Sequence, residues 1–207
     1  YPMRNEIKYL LSKNEIDNYL KKIRIKKLHP PRFVYSIYFD TKDFVNFSDS
    51  EEGTVPRTKW RVRVYSKNLI NTYKIDDYFQ NQFFIEKKQT FEKHRSKQRI
   101  ILKNTSFKDS IKKIRELSNQ YLVPNVFVTY YRNYYILNKD IRLTHDNNVK
   151  FFKVNNKNLL NQKNFNDIII EEKKSISSKD DTIFNIIGDK HSRNSKYCEA
   201  VKAFMGY

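Results

Sequence analysis

Lys59, Arg61 and Arg63 occupy every second position of Lys59-Trp60-Arg61-Val62-Arg63-Val64-Tyr65, with Trp60, Val62 and Val64 between them. In a β-strand alternate side chains point to opposite faces of the sheet, so the three cations share one face and the apolar residues the other. Grouped Arg and Lys are the side chains that hold phosphate: Arg offers a planar fork of donors, Lys a compact point charge. The pattern recurs along the chain. Arg4, Glu6 and Lys8 share a face of one segment, Phe84, Glu86 and Lys88 of another, and Arg95, Lys97 and Arg99 of a third. Further on come Tyr130, Arg132 and Tyr134, then Arg142, Thr144 and Asp146, then Ile169, Glu171 and Lys173. One such segment is an ordinary exposed strand. Repeated this often, with apolar residues opposite, the pattern predicts a water-filled lumen built for a highly charged anion, because buried unpaired charge is prohibitively costly. Hydrogen bonds to charged groups are worth ~1.5–3 kcal/mol each, so several converging side chains hold a triphosphate firmly. The few carboxylates on these faces read as divalent-cation ligands or as partners that orient the arginines.

Eight strands are predicted to carry these faces, at about residues 4–10, 33–39, 59–66, 82–90, 97–103, 126–136, 141–147 and 167–174. Ser12-Lys13-Asn14-Glu15 is a capping box, and Ile16, Tyr19, Leu20 and Ile23 follow it at helical spacing. A second helix starts near Ser106, with Phe107, Ile111, Ile114 and Leu117 on one side. A short one covers Thr182–Ile187, and the last runs from about Ser195 to Phe204 with Tyr197, Val201 and Phe204 facing inward. Residues 48–57 and 153–166 read as polar, mobile loops. Many strands, few helices and no βαβ alternation predict a mainly β (α+β) fold: an antiparallel eight-stranded β-barrel tunnel with peripheral helices, one domain over residues 1–207.

Lys+Arg 41 against Asp+Glu 23 leaves a net charge of +18, so the expected partner is anionic: nucleic acid, a membrane surface or a polyphosphate compound. Part of the Lys excess is what a coding bias would also produce; the placement of Arg is not. Cys198 is the only cysteine, which excludes a disulfide framework and a cysteine-based metal site. Nothing approaches the ~20 apolar residues of a membrane span, no secretory signal is visible, and a cytoplasmic protein is expected. Three glycines leave no phosphate loop of the Walker or Rossmann kind, and neither a hydrolase elbow nor a kinase signature occurs. His29, His94, His145 and His191 show no zinc-ligand spacing and read as solvated or structural. Tyr130, Tyr131, Tyr134 and Tyr135 read as barrel packing rather than base stacking. Nucleic acid ranks last among the partners, because it needs charge on an outer surface or open groove.

Several short motifs follow one another over nearly the whole chain. They are Arg4-Asn5-Glu6-Ile7-Lys8-Tyr9, Ser36-Ile37-Tyr38-Phe39-Asp40-Thr41, Arg61-Val62-Arg63, Glu86-Lys87-Lys88 and Ser96-Lys97-Gln98-Arg99. Tyr131-Arg132-Asn133-Tyr134-Tyr135, Arg142-Leu143-Thr144-His145-Asp146, Glu171-Glu172-Lys173 and Ser195-Lys196-Tyr197 complete the series. In this order they resemble the VTC domain, the polyphosphate-polymerase branch of the triphosphate tunnel metalloenzymes (CYTH-like superfamily), in its stand-alone bacterial form. The resemblance implies a tunnel that binds a nucleoside triphosphate and a divalent metal, Mn²⁺ or Mg²⁺. Carried over position by position, it implies catalytic roles for Arg61, Arg63, Arg132, Arg142 and Lys196, and phosphate binding by Lys8, Lys88, Lys97, Arg99 and Ser195. It implies that Glu171 is the metal ligand. Lys196 comes from a helix start, where free amides and the helix dipole also favour an anion. One departure is informative. The simpler tunnel hydrolases open with E-x-E-x-K, and Arg4 replaces the first Glu here, which favours the polymerase branch.

The resulting expectation is an ATP-dependent polyphosphate polymerase that passes the γ-phosphoryl of ATP to a growing polyphosphate chain. Its partners would be ATP and inorganic polyphosphate, with a membrane-protein partner as the means of standing at the inner face of a membrane. A tunnel-family triphosphatase using water as acceptor, and a non-catalytic polyanion-binding module, are the alternatives.

Overall fold

The computed structural model describes residues 4–92, 95–193 and 195–206, with Arg4 through its backbone only. His94 and the side chain of Arg4 lie outside the described residues. The strands are β1 (Arg4–Leu11), β2 (Lys26–Asp40), β3 (Arg57–Ser66), β4 (Gln82–Thr90), β5 (Arg95–Lys103), β6 (Val123–Ile136), β7 (Ile141–Asn155), β8 (Asn158–Phe165) and β9 (Ile168–Ser175). The helices are α1 (Lys13–Lys22), α2 (Val45–Glu52), α3 (Phe107–Ser118), α4 (Thr182–Ile187) and α5 (Lys196–Met205). All eight expected strands are present, and they form the continuous path β1-β9-β7-β6-β2-β3-β4-β5. The four expected helices are present as well. Two elements replace the expected loops: α2 covers part of 48–57, while the end of β7 and the added strand β8 cover most of 153–166. No helix among the described residues is long and apolar enough to cross a membrane.

The chain groups into two compact units. The first comprises Tyr1–Phe33, Tyr130–Val149 and Asn164–Asn194, the second Val34–Thr129, Lys150–Lys163 and Ser195–Tyr207, so β2, β6, β7 and β8 contribute residues to both. In the first unit, the β1–β9–β7 ladders fix the parity of every side chain. Tyr9, Leu11, Ile141, Leu143, Ile168 and Ile170 bury one face against Ile16 and Tyr19 of α1, Ile23 just beyond it, and Ile183 and Ile187 of α4. Each such fully buried side chain contributes roughly 1.5–3 kcal/mol. Helix α1 begins where expected: the Glu15 carboxylate accepts from Ser12 N at 2.8 Å. The opposite face of the same ladders carries Glu6, Lys8, Arg142, Thr144, Asp146, Glu171 and Lys173.

In the second unit Trp60, Val62 and Val64 of β3 and Phe83 and Ile85 of β4 are buried. Phe107 at the start of α3 packs on Phe39 and Phe79, and Phe79 packs on Phe83. Ser106 caps α3, accepting from Asp109 N on Oγ at 3.2 Å while Asp109 accepts from Ser106 N at 2.9 Å. Ile114 is buried, whereas Leu117, expected on the same face, is 40% exposed near the helix end. With the apolar faces of β3 and β4 covered, Lys59, Arg61, Arg63, Glu86 and Lys88 are committed to the other side.

Candidate functional site

The register of β3, β4 and β5 lays cations side by side. Lys59 stands opposite Lys88 and Lys88 opposite Lys97; one step along, Arg61 stands opposite Glu86 and Glu86 opposite Arg99. Like charges directly opposed in a sheet destabilise it, so a row of three lysines calls for counter-charge. Glu86 supplies part of it. Its Oε2 accepts from Arg61 Nε at 2.7 Å and lies 2.6 Å from Arg61 Nη2; its Oε1 takes Lys97 Nζ at 2.8 Å and Arg99 Nη2 at 2.5 Å. Arg63 Nη1 lies 3.7 Å away. The arginines are further fixed by hydroxyls: Arg63 Nε donates to Ser36 Oγ at 2.8 Å, Arg61 to Tyr38 Oη at 3.1 Å and Arg99 to Tyr65 Oη at 3.3 Å. Lys59, Arg61, Arg63, Lys88, Lys97 and Arg99 thus share a face with one carboxylate, Glu86.

That excess of positive charge shows in the titration of its members. Burial pushes the Glu86 carboxyl up, but Arg61, Arg63 and Lys97 outweigh it and hold the group far below the usual carboxylate range. Burial loosens the proton of Lys97, bringing it down to about 8 despite Glu86 beside it. For Tyr38, burial raises the hydroxyl pKa while Arg61 and Arg63 more than reverse this, to about 8; burial likewise raises that of Tyr65, and Arg63 with Arg61 brings it down to about 8. A pH dependence follows. All three groups have folded pKa values below their unfolded ones, so the stability they contribute is present above pH ~10 and is lost as pH falls through about 8. Anion affinity runs the other way. Tripolyphosphate binding is expected to weaken between pH 7 and 9, while the ligand-free protein becomes harder to unfold over the same interval. Calorimetry and denaturant melts at the two ends of that window check both signs, and Lys97→Met should flatten both trends. Affinity unchanged across the window would show that Lys97 and the two tyrosines do not meet the anion.

Helix α5 brings two more predicted residues to the second unit. Ser195 caps it and accepts from Lys59 Nζ at 2.8 Å and from Cys198 N at 3.5 Å. Lys196 is the first helical residue and is buried. Tyr197 fixes the helix: its ring stacks on Tyr38 at 5.3 Å, and its hydroxyl donates to Asp40. Asp40 also accepts from the amides of Thr41, Asn46 and Phe47 at 2.7, 2.9 and 3.0 Å, capping α2 in place of Phe44, which adopts a left-handed backbone at the usual capping position.

The charged face of the first unit has a different balance. Glu171 stands opposite Lys8 on one side and Thr144 on the other; Lys173 stands opposite Glu6 and Arg142. Arg132 makes a two-pronged bond to Asp146, Nε to Oδ1 at 2.5 Å and Nη2 to Oδ2 at 2.6 Å, and its Nη2 is 3.7 Å from Glu171. Burial opposes the charge on Arg132, but Asp146 more than restores it. Lys173 Nζ lies 3.5 Å from Glu171 and 3.8 Å from Glu6. Lys8, Arg132, Arg142 and Lys173 therefore face three carboxylates, Glu6, Asp146 and Glu171. Among the described residues no three His, Cys, Asp or Glu side chains gather into a metal cage. The donors present still suit a hard divalent cation. Glu171 lies 3.7 Å from Arg132 and 3.5 Å from Lys173, and the buried hydroxyl of Thr144 opposite it has no hydrogen-bond partner among the described residues. Mg²⁺ is typically held by one or two carboxylates with phosphate oxygens and water completing the shell.

Of the predicted residues, Arg61, Arg63, Lys97 and Arg99 meet on Glu86; Lys88 lies in the lysine row; Ser195 and Lys196 sit at the start of α5. Arg132 and Lys8 flank Glu171, and Arg142 is exposed opposite Lys173. Glu86, Tyr38, Tyr65, Ser36 and Asp146, to which the motifs assign no individual site role, are the groups that orient these cations. His145 points to the other face, buried between Tyr19 and Tyr135, and burial holds it down to about 4.

A family model for the VTC domain matches residues 3–205. The chain belongs to the VTC domain family. No curated protein matches it at the sequence level. The fold is shared with solved structures at low identity. Protein PH1819 from Pyrococcus horikoshii aligns with TM-score 0.53 and 15% identity, over 97% of this chain and 99% of that one. Protein PH1012 from the same organism aligns with TM-score 0.52 and 12% identity, over 96% and 99%. The HpAC1 protein from Hippeastrum, described as having a dominant triphosphatase activity, aligns with TM-score 0.51 and 12% identity, over 97% and 96%. These likenesses show a shared fold, while the family assignment rests on the VTC match.

Proposed function

We propose that this VTC domain is an ATP-dependent polyphosphate polymerase. The observation that carries the reading is the register that sets the Lys59–Lys88–Lys97 row beside Arg61–Glu86–Arg99, five cations gathered with one carboxylate on one face of β3, β4 and β5. Phosphoryl transfer asks mainly for positioning and charge stabilisation. The end of a polyphosphate chain is already ionised, so the acceptor needs no general base, which suits a face of cations. In this reading Arg61, Arg63, Lys97 and Arg99 bind oxygens of a triphosphate, with Lys88 in support. Ser195 and Lys196 bring a further cation and the free amides of α5. Arg132, aligned by Asp146, binds phosphoryl oxygens together with Lys8 and Arg142. Glu171 would hold Mn²⁺ or Mg²⁺, which when bound supplies charge neutralisation on the phosphate oxygens.

One observation favours a second reading. Glu6 lies on the same face as Glu171 within reach of Lys173, a second carboxylate of the kind a water-using triphosphatase employs. Product analysis separates the two. Purified protein given ATP and Mn²⁺ is expected to release ADP and to form long anionic chains on a denaturing gel, which an exopolyphosphatase removes. ADP with orthophosphate alone, even after a short polyphosphate primer is added, would make it a triphosphatase. Tight, salt-sensitive polyphosphate binding without ADP would leave a binding module.

A further inference from the structure

Arg32 lies near the middle of β2, in a stretch to which the motif series assigns no role. Its Nε donates to Tyr134 Oη at 2.9 Å, and its guanidinium carbon sits 4.9 Å from the centre of the Tyr134 ring. His29 packs edge-on against the same ring at 5.8 Å. Tyr134 is two residues beyond Arg132 on β6, so the two side chains leave the strand on the same side. Arg132 marks which side that is, because its guanidinium meets Asp146 and approaches Glu171. The hydroxyl that steers Arg32 therefore belongs to the face that bears Lys8, Arg142 and Glu171, within the first unit. An arginine held through Nε by a tyrosine has the plane of its guanidinium fixed, and a fixed plane favours recognition of phosphate oxygens.

We infer that Arg32, steered by Tyr134, is a further phosphate-binding residue of this face. The inference rests on the phosphate-binding reading above and deepens it: the ligand is a linear chain of phosphates, and Arg32 adds one cation to those that touch it. The test is calorimetric titration of the whole chain with tripolyphosphate, which needs no turnover. Arg32→Gln is expected to weaken binding about tenfold, the loss of one charge-assisted hydrogen bond. The slope of log Kd against log salt should also fall by about one ion, by analogy with counterion release from other polyanions. A role confined to packing would leave that slope unmoved. Arg32→Lys should recover part of the affinity, and Tyr134→Phe, which keeps the ring and removes the steering hydroxyl, should lose about threefold. Arg24→Gln, at an exposed position, is the control and should change binding less than twofold. If Arg32→Gln binds with wild-type affinity and wild-type salt slope, whatever its melting temperature, the inference is wrong while the wider reading stands. If the wild-type chain fails to bind tripolyphosphate at low salt, the wider reading falls and takes this inference with it.

Discussion

Glu86→Ala is expected to cost the protein about 3–5 kcal/mol of stability, the penalty for leaving buried charge without its partner. Arg63 is 3% exposed and Glu86 1%, so neither can turn to water when the other is removed. Four cations lose their common acceptor at once, and Lys97 and Arg99, with about two-fifths of their side chains exposed, should swing outward. Triphosphate affinity should fall with them, because the arginines no longer hold their fork geometry. The distinguishing measurement is a thermal melt with and without tripolyphosphate or sulfate. An anion that replaces the carboxylate should raise the melting temperature of the variant by more than that of the wild type. Glu86→Gln keeps the shape and some of the acceptor capacity, and should lie between the two. A variant that melts like the wild type would show that Glu86 is not the organising charge.

Glu171→Gln is expected to lower metal-dependent turnover by about a hundredfold, the size of several kcal/mol of lost charge stabilisation. The fold should survive. Gln keeps the shape of the Glu171 side chain, and Arg132 keeps its two-pronged bond to Asp146. The readouts are activity across a Mn²⁺ titration and a melt in the absence of metal. Wild-type activity at limiting Mn²⁺ would remove Glu171 from the metal role. A collapse of the melting temperature would instead make it structural.

Strand parity was legible because a period of two is written directly in the residues: once Val62 and Ile85 are buried, Arg61 and Glu86 must face the other way. Helix starts were legible where the cap is local, as at Ser12 and Ser106. Helix α2 escaped notice because its cap is not local. Its first amides are satisfied by Asp40 at the end of β2, and Phe44, at the usual capping position, gives no sign of a helix start. Strand β8 is polar along Asn158–Phe165 with only Leu159 buried, so it carries no alternating apolar signal; it pairs with β7 off the main path. The first half of β2 was hidden by Pro30-Pro31, which argue against a strand in any sequence reading. At the site, residue types revealed the cations and offered carboxylates to orient them, but not which carboxylate meets which cation. That Glu86 lies between Arg61 and Arg99 is a matter of register among three strands, and no single segment states its own register.

The bond between Tyr197 and Asp40 joins positions 157 residues apart. During synthesis Asp40 emerges well before Tyr197, and contacts this distant in sequence form only after a large loop has been closed. A nascent chain that stops short of α5 still has Arg61, Arg63, Glu86, Lys97 and Arg99, but Asp40 lacks its tyrosine, Lys59 lacks Ser195, and Lys196 is missing. In the proposed reading, anion binding of full strength therefore requires α5. A ribosome-bound fragment that bears most of the motifs but stops before that helix is a partial site.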